Sequence, residues 1–131
     1  MKLEICANSL TSALNAQAGG ADRVELCSEL SLGGVTPSAG LIELVRERLS
    51  IEIFVLIRPR AGNFCYSENE LEIIRRDILF CKKMGCDGVV IGVLKENGSV
   101  NIGVMNSLIA LARPMKITFH RAFDVCREPI K

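Results

Sequence analysis

The stretch Ile51 to Pro59, IEIFVLIRP, decides the fold. It is apolar almost throughout, rich in β-branched residues and closed by Arg-Pro. A half-exposed strand would alternate apolar and polar residues. A strand buried on both faces, as in a parallel sheet covered by helices, reads as a near-continuous apolar run. Within it, Ile53, Val55 and Ile57 are expected to point outward to covering helices. Phe54, Leu56 and Arg58 then form the opposite, interior set.

Working outward, short strand-like runs alternate with longer helical patterns. KLEIC (Lys2 to Cys6), DRVELC (Asp22 to Cys27), DGVVIGVL and MKITFH read as the other strands. SLTSALNAQAG, GLIELVRERL, SENELEIIRRDILFCKKMG and NIGVMNSLIALAR read as helices between them. Thr36 is the expected N-cap of the second helix, with Pro37 as its first residue. Ser67 opens a capping box with Glu70, and Gly85 closes that third helix. The order βαβαβαβαβ predicts a parallel sheet with helical crossovers.

An internal echo supports repetition. GADRVEL at Gly20 and GCDGVVI at Gly85 share Gly-x-Asp-x-Val-x-aliphatic, 65 residues apart. That distance fits two units of roughly 30 residues, the size of one βαβ repeat. A repeating βα unit fits a (βα)8 barrel or a doubly wound sheet. No G-x-G-x-x-G follows the first strand, which weakens the dinucleotide-binding version. The expectation is a TIM-type (βα)8 barrel, here truncated to about five βα units, since a complete barrel takes about 250 residues. Residues 1–131 then form a single, incomplete domain, the N-terminal part of a βα barrel. Its first and fifth strands would have open edges, which predicts a homo-oligomer.

Composition narrows the function classes. The chain has 131 residues, 49% hydrophobic and 24% charged, with a net charge of +1. No basic stripe or like-charge run suggests a nucleic-acid partner. No apolar run is long enough to span a bilayer, and the start MKLEICANSL reads as cytosolic rather than as a signal peptide. The six cysteines lack any C-x-x-C spacing. They read as reduced thiols in a cytoplasmic setting rather than as a disulfide framework.

Strand alternation selects the candidate site. It sets Glu4, Cys6, Glu25, Cys27, Arg58 and His120 on one face, at or near the carboxyl ends of strands, where barrel active sites lie. Buried charges there are either paired for structure or used for function. Glu25 and His120 are the candidate acid–base pair. Arg58 and Arg60, beside Gly62 and Asn63, suit a carboxylate or phosphate, against a structural loop role for Arg60. GGVTPS offers backbone N–H groups near a helix start, against an ordinary turn and cap. Cys6 and Cys27, with His120, form a soft set suited to copper(I) or zinc, against inert core thiols. Cys81 and Cys86 flank a helix end and read as small apolar packing residues.

The motifs LEIC, GADRVELC, GG-x-TPS-x-G, IRPR-x-G-x-FCYS, DG-x-V-x-GVL and TFHRAFD, in this order, resemble the copper homeostasis protein CutC family. The resemblance runs through the whole chain. It implies a (βα)8-type barrel, a cytoplasmic protein and copper(I) as ligand through cysteine. The positions that match are Glu4, Glu25, Cys27, Arg58, Arg60, Cys65, His120, Arg121 and Asp124. Asp124 joins Glu4, Arg58 and Arg60 as the expected substrate-holding set. The alternative to copper handling is a TIM-barrel enzyme that acts on a small anionic substrate by acid–base chemistry.

Overall fold

The computed structural model of the chain describes residues 2–120. Arg121, Asp124 and Cys126 therefore lie outside the described residues. Five strands, β1 (Glu4–Ala7), β2 (Arg23–Leu26), β3 (Glu52–Leu56), β4 (Gly88–Ile91) and β5 (Lys116–Phe119), form one sheet in the order β1-β2-β3-β4-β5. Every neighbouring pair is parallel. The crossovers carry α1 (Leu10–Ala18), α2 (Ala39–Arg48), α3 (Glu68–Met84) and α4 (Ile102–Ala112). None of the described helices is long and apolar enough to cross a membrane.

Period-two alternation divides the sheet as the β3 sequence requires. Val24, Leu26, Ile53, Val55, Ile57, Val89 and Ile91 are all buried in one core with the inward residues of the helices, among them Val45, Ile74, Ile78 and Leu108. Phe54 and Leu56, on the other face, pack with Cys27 and Val90 in a separate cluster.

The internal echo has a structural basis. Asp22 and Asp87 stand just before β2 and β4. Asp22 accepts from the Leu3 N–H through its carboxylate at 2.8 Å and donates its own N–H to the Leu3 carbonyl at 2.9 Å. Asp87 does the same with Ile53, at 2.9 and 3.0 Å. Each aspartate thus fastens its strand to the start of an earlier neighbour. The helix before each ends with a glycine at positive φ, Gly20 at 95° and Gly85 at 82°, a conformation that costs glycine little.

Helix starts follow the sequence at α3 and depart from it at α2. Ser67 Oγ accepts from the Glu70 N–H at 3.2 Å, and Glu70 reaches back to the Ser67 N–H at 2.9 Å. At α2 the cap is Ser38, whose Oγ accepts from the Leu41 N–H at 3.1 Å, and Pro37 precedes it. Thr36 is engaged elsewhere. Its hydroxyl accepts from the Arg58 N–H at 2.7 Å, and its own N–H donates to the Arg58 carbonyl at 3.0 Å. That exchange ties the segment before α2 to the end of β3 and leaves Thr36 unable to cap.

Gly88 opens β4 because the inner face leaves no room for a side chain. A Cβ there would lie 2.6 Å from the Phe54 ring and 2.8 Å from the Lys116 carbonyl. Phe54 in turn carries the Arg23 guanidinium, 4.1 Å from its ring centroid. We expect Gly88→Ala to lower stability by about 1–3 kcal/mol through overpacking. Gly40→Ala, in α2 with nothing within 4 Å of the added carbon, should raise it by about 0.4–1 kcal/mol. Urea midpoints of the two variants check both signs.

Candidate functional site

The register orders the inner face from bottom to top. At the amino ends Glu4 pairs with Arg23, and Arg23 with Glu52. One rung higher, Cys6 pairs with Glu25, Glu25 with Phe54, Phe54 with Gly88 and Gly88 with Lys116. Above these come Leu56, Val90 and Thr118 in register, with Cys27 two residues beyond Glu25. Arg58 and His120 follow at the carboxyl edge. They are the two buried charged or polar side chains among the described residues.

Glu4 is therefore not at the carboxyl edge where the sequence reading put it. It is the first residue of β1, ion-paired with Arg23 at 2.5 Å. Being three rungs too low, it braces the amino end with a second pair of contacts, Lys2 and Lys116 on Glu52 at 2.7 and 3.1 Å. Those lysines, Lys2 first, hold the Glu52 carboxyl down to about 2.

The two arginines of IRPR also have structural partners. The Arg58 guanidinium donates to the carbonyls of Leu32 at 3.0 Å, Gly34 at 2.9 Å and Gly62 at 2.9 Å, and lies 4.9 Å from the Phe64 ring centroid. It links the β2–α2 loop to the β3–α3 loop through three of its donors, while its Nε is buried without a hydrogen-bond partner among the described residues. Arg60 pairs with Glu70 at 2.5 Å and donates to the carbonyls of Asn63 at 2.9 Å and Cys65 at 2.8 Å. Nor does GGVTPS offer an anion cradle. The N–H groups of Gly33, Gly34, Val35 and Thr36 all donate to backbone carbonyls.

Glu25 and the thiols of β1 and β2 remain as a polar group on the inner face. Cys6 Sγ donates to Glu25 Oε2 at 3.7 Å. Burial, and then the Glu4 carboxylate, push the Glu25 carboxyl above the ordinary range. Burial and the charge of Glu25 push the Cys6 thiol up to about 11 and raise Cys27 from the same causes. His120 does not join them. Cys27 follows β2 and His120 follows β5, three strand spacings of about 4.8 Å away. The imidazole lies 5.1 Å from the Phe64 ring centroid. Among the described residues no group of three or more His, Cys, Asp or Glu side chains is placed to hold a metal ion. The expected Cys6–Cys27–His120 set is therefore reduced to its two thiols, and the Glu25–His120 pairing is separated in the same way. Asp124 lies outside the described residues.

Sequence reasoning missed the Arg23–Phe54–Gly88 stack beneath this group. Its signal was a glycine inside a strand pattern, which marks a close approach.

Five parallel strands in chain order, with helical crossovers packed on one face and polar residues on the other, define a segment of a TIM-type βα barrel. The chain belongs to the CutC family, whose model matches residues 1–131. It is 48% identical to the human copper homeostasis protein cutC homolog over 98% of this chain and 47% of that protein. It is 54% identical to a CutC family protein of Xylella fastidiosa over 97% of this chain and 48% of that one. A solved CutC structure from Streptococcus agalactiae superposes with a TM-score of 0.90 at 36% identity, covering 98% of this chain and 63% of the other. The chain spans about half the length of the curated relatives it matches.

Removing the Arg58 guanidinium by Arg58→Ala would strand three loop carbonyls. We expect a loss of about 2–4 kcal/mol, read by chemical denaturation. Glu25 gives a pH test. Its folded pKa is raised, so the native state holds the proton more tightly and stability falls as pH rises from the unfolded value through the folded one. Glu25→Gln should therefore be more stable than the parent at neutral pH, with the difference vanishing below the unfolded carboxylate pKa. Melting curves across pH check the sign.

Proposed function

We propose that this chain serves in copper homeostasis and holds copper(I) between the Cys6 and Cys27 thiolates. The carrying observation is their placement on one face beside Glu25: Cys6 is its register partner on β1, and Cys27 stands two residues beyond it, just after β2. Two thiolates are a sufficient soft-donor set for copper(I), and the relatives' names place the family in copper handling. Both thiols are raised, so binding must release protons and strengthen as pH rises. Glu25 stands beside Cys6 as an acceptor for one of them. A reducing, cytoplasmic setting belongs to this reading, in keeping with the free thiols of Cys6, Cys27, Cys65, Cys81 and Cys86. So does self-association along the β1 and β5 edges, each of which has a single strand neighbour among the described residues.

One observation favours a second reading, a barrel enzyme acting on a small molecule. Glu25 is a half-buried carboxyl with a raised pKa, the state required of a general acid. Anaerobic competition against a chromogenic copper(I) chelator separates the two. The copper reading predicts that Cys27→Ser and Cys6→Ser each weaken binding at least about tenfold, the equivalent of about 1.4 kcal/mol, while Cys65→Ser leaves it unchanged. Unaltered affinity in Cys27→Ser would reject the thiol pair.

A further inference from the structure

The end of α3 holds a second pair of cysteines, on the helix side of the sheet and away from Cys6 and Cys27. Gly85 closes the helix in the left-handed conformation, with the Cys86 N–H donating to the Cys81 carbonyl at 3.1 Å and the Gly85 N–H to the Lys82 carbonyl at 3.2 Å. This doubly bonded ending brings the first and last residues of the turn together and normally joins them by an apolar contact. Here both are cysteines, Cys81 fully buried and Cys86 6% exposed. The related ending of α1 shows what packing alone requires. The Ala21 N–H donates to the Ala16 carbonyl at 3.0 Å, and two alanines fill the same positions, both buried.

The thiols interact. Each thiol shifts the other, the neighbouring Cys81 lowering the Cys86 thiol and Cys86 raising that of Cys81, and Arg46 adds a favourable charge near Cys86. The Arg46 guanidinium is fixed by Asp87 at 2.9 Å and by the carbonyls of Leu49 and Ile51. Cys86 also lines an open depression of about 430 Å³, with Lys82, Asp87, Met115 and Lys116 on its walls. A small oxidant thus has a path to Cys86 and none to Cys81.

We propose that Cys81 and Cys86 form a redox-active dithiol, a modification site that a hydroperoxide closes to an intramolecular disulfide. The Cys86 thiolate attacks one peroxide oxygen. The O–O bond breaks, Cys86 becomes a sulfenic acid, and the other oxygen leaves as water or alcohol after taking a proton. The Cys81 sulfur then attacks the sulfenic sulfur. An S–S bond forms, the S–O bond breaks, and the hydroxyl leaves as water with the Cys81 proton. Two thiols and one hydroperoxide give one disulfide, one water and one alcohol, or a second water when the oxidant is hydrogen peroxide. The turn supplies the short Cα separation that a disulfide needs. The proposal is independent of the copper reading, since it uses neither Cys6 nor Cys27.

The sequence provides a direct readout. Lys82 and Lys83 lie between the two cysteines, so trypsin separates them into peptides 77–82 and 84–95. The intact chain is treated with equimolar hydrogen peroxide, its remaining thiols are alkylated, and the digest is examined by mass spectrometry. The expected result is that these two peptides appear linked, with a loss of two hydrogens, and separate on reduction. Cys81→Ser should instead leave Cys86 trappable by dimedone. Peptides 77–82 and 84–95 recovered separately alkylated, or linked to those bearing Cys6, Cys27 or Cys65, would overturn the proposal. The parent chain decides the matter even if a variant fails to fold.

Discussion

The constraint on which the structure depends is the in-register parallel pairing of β1 through β5. In a parallel sheet, register partners point to the same side, so one offset fixes the facing of every strand. Asp22 and Asp87 set that offset at the strand starts by exchanging two hydrogen bonds each with Leu3 and Ile53. With the offset fixed, the valines, isoleucines and leucines of β2, β3 and β4 meet the helices, while Cys6, Glu25, Phe54 and Lys116 share the opposite face. A slip of one residue would turn Glu25 into the apolar core and Val24 out of it, at a cost of several kcal/mol for the carboxylate alone.

The carboxyl edge is built by a second device, the Arg58 guanidinium. A buried cation is costly unless its donors are satisfied. Three loop carbonyls and the Phe64 ring supply most of that environment, leaving only Nε buried without a partner among the described residues, and in return two long loops are held over the sheet. The Thr36–Arg58 exchange adds two more bonds at the same point. The polar character of this edge is therefore partly architectural. The chemically uncommitted groups lie lower, between β1 and β2, where burial raises Cys6, Glu25 and Cys27 alike and the Glu25 carboxylate raises both thiols further.

Much of this was legible in the sequence. The apolar run of β3, the capping box at Ser67 and the Gly-x-Asp echo each follow from a local rule, and the structure contains them. The face shared by Glu4, Glu25, Arg58 and His120 also follows, because alternation has a strict period. Height along the strand does not follow, because it depends on where each strand begins relative to its neighbour. Glu4 thus stands three rungs below the edge that alternation alone suggests. The partners of Arg58 and Arg60 were hidden for a related reason. They are backbone carbonyls in loops, and carbonyls leave no mark in a sequence. His120 and Cys27 share a face but are three strands apart, and alternation carries no information on lateral distance. Thr36 looked like a cap because its competing bond to Arg58 is made by a residue 22 positions away.

In the proposed site, the thiolates of Cys6 on β1 and Cys27 just after β2 hold copper(I) without the imidazole. X-ray absorption at the copper edge, measured anaerobically on the loaded protein, tests this most directly. The expected result is a two-coordinate site with two sulfur atoms as the only neighbours of copper. An imidazole ring in the scattering, or coordination by oxygen and nitrogen alone, would contradict it.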